Sequence, residues 1–69
     1  MNIGKAIKIL RIERDIDQRG LSTLCGFDKS YISLIESNKR DPSFKSLVKI
    51  SKSLKLNVSD LFLLAEHLK

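Results

Sequence analysis

The sequence holds one cysteine, Cys25, and one histidine, His67. No intrachain disulfide can form, and two such side chains cannot supply the four ligands of a structural zinc site. Proline occurs once, at Pro42, glycine three times and tryptophan not at all. With so few breakers the chain shows no linker, repeat or low-complexity segment. No apolar run approaches the roughly 20 residues of a membrane span. The stretch Met1-Asn2-Ile3-Gly4-Lys5 also lacks the apolar core of a signal peptide. These absences read as a cytosolic protein without a membrane partner. Missing too are a nucleophile with a nearby base, an acid–base pair, a metal set and a phosphate-binding glycine loop, so neither an enzyme nor a cofactor is expected.

What is present fits one small domain spanning residues 1–69, with 42% hydrophobic residues for a compact core. A domain of this size buries only about 60% of its unfolded surface, so self-association would help it. The net charge of +5 is unevenly placed. Residues 1–28 hold five basic and four acidic residues, net +1; residues 29–55 hold seven and two, net +5; residues 56–69 hold one and two, net −1. A basic middle suits a polyanionic partner.

Apolar spacing and capping residues predict five short helices and an all-α fold. The first covers about 3–14, with Ile3, Ile7 and Leu10 on one face. Asp17 is placed to cap a second at about 18–25, and Gly26 follows where positive φ is wanted. Asp28 is placed to cap a third at about 29–37, which Asn38 ends by tolerating a left-handed conformation. Ser43, after Pro42, caps a fourth at about 44–54, with Leu47, Ile50 and Leu54 inward. Asn57 caps a fifth at about 58–67, where Asp60 favours the N-terminal dipole. Helices this short need a shared core to persist.

The most informative window runs from Gln18 to Asn38. Two helices meet there at the tight turn Cys25-Gly26-Phe27-Asp28. Ser22 is small where the helices cross, and Gly26 supplies backbone freedom for the turn. Leu21, Phe27, Ile32 and Ile35 are apolar at the spacing that locks two helices at a fixed angle. Cys25 falls on a core-facing position as a buried, unreactive thiol, and His67 faces solvent or complements a helix dipole.

This constellation resembles the lambda-repressor-like (Cro-like, Xre-type) helix-turn-helix regulators of bacteria and their phages. The resemblance runs from Ile3 to Phe62, through Ile3-Gly4, Ile7, Leu10-Arg11, Gln18, the turn, Ile35-Glu36, Pro42-Ser43 and the run Leu54–Leu61. The stretch Tyr31-Ile32-Ser33-Leu34-Ile35-Glu36 is also similar to the recognition helix of restriction–modification controller proteins. Departures are Ser22 where the family usually has Ala, Arg19-Gly20 where it has acidic residues, and Asn38 where it has Gly. Gly20 within a helix costs about 1 kcal/mol relative to Ala.

The resemblance implies a sequence-specific transcription regulator that binds double-stranded DNA in the nucleoid, entering the major groove with its third helix. Lys29, Ser30 and Ser33 are then the base-reading residues. Tyr31 at the flank either donates to a phosphate, packs on a thymine methyl, or only packs internally. Gln18, Lys39, Arg40, Ser43 and Lys45 are assigned to the DNA backbone, though Lys39 and Arg40 also suit an ordinary basic surface loop. Arg11 and Glu36 form the family-like ion pair that orients the third helix. The fifth helix is apolar on more than one face. Leu61, Leu64 and Leu68 are therefore expected at a two-fold dimer interface, matched to a palindromic operator. Ile9, Ile12, Leu24 and Leu34 lie outside the family's usual core pattern. An activator would also need to touch RNA polymerase. The competing reading is an antitoxin-like module that binds a toxin; it is disfavoured because such proteins add a tail beyond the fifth helix.

Overall fold

Five helices and no strands make up the computed structural model, which describes residues 1–69. They are α1 (Ile3–Glu13), α2 (Gln18–Cys25), α3 (Lys29–Glu36), α4 (Phe44–Ser53) and α5 (Val58–Glu66). Four of them end one residue before the sequence-based boundary, where the last turn gives way to the C-cap residue.

Local chemistry starts these helices. The Asp17 carboxylate accepts from the Gly20 N–H at 2.6 Å, and the Ser43 hydroxyl accepts from the Ser46 N–H at 3.1 Å. Asn2, which the sequence did not single out, caps α1 by accepting from the Lys5 N–H at 3.0 Å. At α5 the Asp60 carboxylate accepts from the Asn57 N–H at 3.1 Å. Asp28 departs from expectation. It stands at the N-cap of α3 without a side-chain cap bond. The Tyr31 N–H that its carboxylate would serve donates instead to the Asp28 carbonyl at 3.0 Å.

Local chemistry also stops them. Gly26 takes a left-handed φ of 74°, and Asn38 does the same at 60°. The amide of Asn38 offsets that strain with bonds a glycine could not make. Its Nδ2 donates to Asn2 Oδ1 at 2.8 Å, and its Oδ1 accepts from the Gly4 N–H at 3.3 Å. The end of α3 is thereby tied to the start of α1.

The core draws on every helix. It combines Ala6 and Ile7, Leu21 and Cys25, Ile32 and Ile35, Leu47 and Ile50, Leu54, and Leu61 with Ala65. Within the turn, Ser22 is buried where α2 and α3 cross. Phe27 packs edge-on to Tyr31, with ring centroids 5.0 Å apart. Arg14, unassigned from sequence, donates to the Leu54 carbonyl at 2.6 Å and ties α1 to the end of α4.

One placement corrects the sequence reading. Leu61 is 0% exposed and belongs to the monomer core, so it cannot form a dimer face. The apolar residue α5 leaves in solvent is Leu63, 58% exposed, while Phe62, Leu64 and Leu68 are half-buried against the core. Ile12, Leu24 and Leu34 are exposed and Ile9 is half-buried.

At Gly4, α1 approaches the end of α3 too closely for any side chain. A Cβ there would run into the Ile35 carbonyl oxygen and stand 2.8 Å from that of Glu36. Gly4→Ala must push two helices apart and is expected to cost about 1–3 kcal/mol, read by urea unfolding. Gly26→Ala meets open space but keeps a positive φ, so its expected cost is about 1–2 kcal/mol.

Candidate nucleic-acid interface

The frame of the site is a buried charge network. Arg11 on α1 makes a two-pronged pair with Glu36 on α3: Nε donates to Oε2 at 2.7 Å and Nη2 to Oε1 at 3.0 Å. The side chains are 9% and 3% exposed, so this is an interior pair, and its energetics are not those of a surface bridge. Two further hydrogen bonds extend the network. Arg11 Nη1 donates to the Ile16 carbonyl at 2.9 Å, and Gln18 Nε2 donates to Glu36 Oε1 at 3.1 Å. The hydrogen bonds to Glu36, against the cost of burial, raise the Arg11 pKa above its ordinary value. The guanidinium stays charged at any pH the fold survives.

This network fixes how α3 is rotated. Ile32, Ile35 and Glu36 are buried, while Lys29, Ser30 and Ser33 are exposed, Lys29 at the flank nearest Glu36. The three residues expected to read bases thus share the solvent face of one helix. Gln18 starts α2 beside them, half-buried, with one amide proton given to Glu36 and the other available to a phosphate. Lys39, Arg40, Ser43 and Lys45 are exposed along the loop and first turn that follow α3.

Tyr31 sits differently from the rest. Its ring is half-buried against Phe27 with the Arg40 guanidinium 5.0 Å above its centre, and its hydroxyl donates to Ser46 Oγ at 2.9 Å. That hydroxyl proton is committed inside the protein, so Tyr31 is not free to donate to a phosphate in this state. Ser43 Oγ donates to the same Ser46 oxygen at 3.0 Å. Ser46 is therefore a hub joining α3 to the start of α4. Sequence reasoning missed it because a serine three residues after a cap carries no mark of a tertiary partner.

Lys8 was also missed. It lines a shallow depression with Gln18, Ser33, Glu36 and Ser37, at the edge of the exposed α3 face. Its spacing of three from Arg11 was the available signal, since it puts both on one side of α1. Cys25 is buried as expected, 3.3 Å from Ser53 Oγ, and burial pushes its thiol pKa up. No group of three or more His, Cys, Asp and Glu residues could hold a metal ion, and no helix is long and apolar enough to cross a membrane.

Two crossed helices on a tight glycine turn, the second presenting a polar and basic face, define a DNA-binding helix-turn-helix domain. A family model described as helix-turn-helix matches residues 7–61, and the chain belongs to that family of Xre-like DNA-binding regulators. It is 36% identical over 63 residues to the control protein C.MunI of Mycoplasma sp, covering 90% of this chain and 85% of that one. Its fold superposes with TM-score 0.82 on SinR, a master regulator of biofilm formation solved in complex with DNA. That match is 38% identical, over 87% of this chain and 97% of the chain in that structure. The restriction–modification controller protein C.AhdI of Aeromonas hydrophila superposes with TM-score 0.86 at 28% identity, over 88% and 92% of the two chains. The function that follows is sequence-specific DNA binding in transcription regulation.

Replacing Glu36 with Gln leaves Arg11 charged, buried and without its counter-ion. The expected loss is about 3–5 kcal/mol in chemical unfolding, with weaker DNA binding by the fraction that stays folded. Unchanged stability and unchanged affinity would refute the orienting role of the pair.

Proposed function

We propose that this regulator acts as a homodimer on a two-fold-symmetric operator, each α3 lying in one of two major grooves about 34 Å apart. The observation that carries this reading is the exposed face of α3 beside a basic loop, with the buried ion pair behind it. Lys29 donates to guanine O6 and N7, while Ser30 and Ser33 donate to or accept from neighbouring base edges. Gln18, Lys8, Lys39, Arg40, Ser43 and Lys45 hold phosphates and set the register. Tyr31 serves this face by carrying Arg40 and anchoring Ser46.

The dimer forms through the apolar strip of α5, centred on Leu63 with Phe62, Leu64 and Leu68 at its edges. A single copy leaves Leu63 in water and these neighbours only half-covered. The similarity to C.MunI and C.AhdI supports a controller-type regulator.

Three measurements test these points. Selection from a random duplex pool should return a palindromic consensus, relaxed at one position per half-site by Lys29→Ala. A consensus unchanged by that substitution would remove Lys29 from the base-reading set. Leu63→Lys should shift sedimentation toward monomer at tens of micromolar and weaken operator binding without unfolding the chain; a wild type that is monomeric both free and on DNA would refute the dimer. Lys39→Ala should weaken binding to all sequences alike and flatten the slope of log K against log salt by about 0.9, the value for one neutralised phosphate.

A further inference from the structure

The groove-facing side of α3 carries one residue that the hydrogen-bonding scheme leaves idle. At about 100° per residue, Leu34 stands roughly 40° from Ser30 around the helix, whereas Lys29 stands about 100° away on the other side. Leu34 is thus nearer the middle of the outward face than Lys29. It is 38% exposed and lies outside the buried core.

Its backbone is fixed in place. The Leu34 carbonyl accepts from the Lys39 N–H at 2.9 Å, the Arg40 N–H at 3.3 Å and the Ser37 hydroxyl at 3.2 Å. The side chain joins Phe27, Ser30 and Tyr31 in lining a shallow depression with Arg40 at its rim. Phe27, Tyr31 and Leu34 give the depression an apolar patch among the polar Ser30, Asp28 and Arg40, a mix that matches the edge of a base.

We propose that Leu34 is a specificity-determining residue that packs against the C5-methyl group of a thymine in each half-site. This role rests on α3 lying in the major groove. Thymine's methyl is the one apolar group that base pairs present there. Ser30 and Ser33 bond to several base edges without strong preference, so neither hydroxyl can separate thymine from cytosine. An aliphatic side chain beside Ser30 can, because it gains only where a methyl replaces water and leaves a cytosine amino group unpaired.

The test uses the selected operator and replaces each thymine in turn with deoxyuridine, which lacks only the methyl. One thymine per half-site should lose about fourfold in affinity for the wild type, the factor expected from burying one methyl-sized group. Leu34→Ala should show no loss at that thymine, and Leu34→Met, still apolar, should keep it. Equal losses in wild type and Leu34→Ala at every thymine would overturn the proposal. A Leu34→Ala chain that melts far below the wild type would also overturn it, by assigning the side chain to the core. A consensus lacking any Leu34-dependent thymine sinks this inference and leaves major-groove binding standing. Finding no consensus at all sinks both.

Discussion

The orientation of α3 depends on the Arg11–Glu36 pair. Burying a carboxylate and a guanidinium costs several kcal/mol each, and the cost is repaid only when nearly every donor and acceptor finds a partner. Here Glu36 accepts from Arg11 twice and from Gln18 once, while Arg11 also reaches the Ile16 carbonyl. A small rotation or slide of α3 would break several of these bonds together. The pair thus acts as a register pin between α1, the start of α2 and α3, where apolar contacts alone would permit sliding.

From that pin the rest of the binding surface follows. Gly4 and Asn38 hold the far end of α3 against α1, and the Tyr31–Ser46–Ser43 hydroxyls hold its flank against α4. Arg40 lies over the Tyr31 ring, so a loop side chain that would otherwise sweep through solvent is partly ordered before any DNA arrives. Ordering cationic side chains in advance lowers the entropic cost of binding, and the net +5 of residues 29–55 draws the domain toward a polyanion over longer distances.

Features set by near neighbours in the chain were readable in advance. Helix spans came out to within a residue because 3.6-residue periodicity, the caps Asp17 and Ser43, and the left-handed stops Gly26 and Asn38 act over three or four residues. The helix-turn-helix was legible for the same reason, as a run of small, apolar and glycine positions at fixed spacing. Even so, Asp28 shows the margin of such reasoning. Its residue type and position are right for a cap, but the backbone satisfies the donor first.

Choices that depend on how helices rotate against one another were not readable. The fifth helix offers leucines at Leu61, Leu63, Leu64 and Leu68, and hydropathy does not rank them. Docking on the other helices buries Leu61 completely and turns Leu63 outward. Tyr31 and Leu34 pose the same problem on α3. Either could have faced the core or the solvent, and the ion pair at Glu36 sends the tyrosine hydroxyl to Ser46 and the leucine to the surface. Sequence settles which residues can form a helix and how it begins and ends, because those energies are local. The face each helix shows to its partners comes from packing and hydrogen bonding between residues as far apart as Arg11 and Glu36, and that is settled only when the helices assemble.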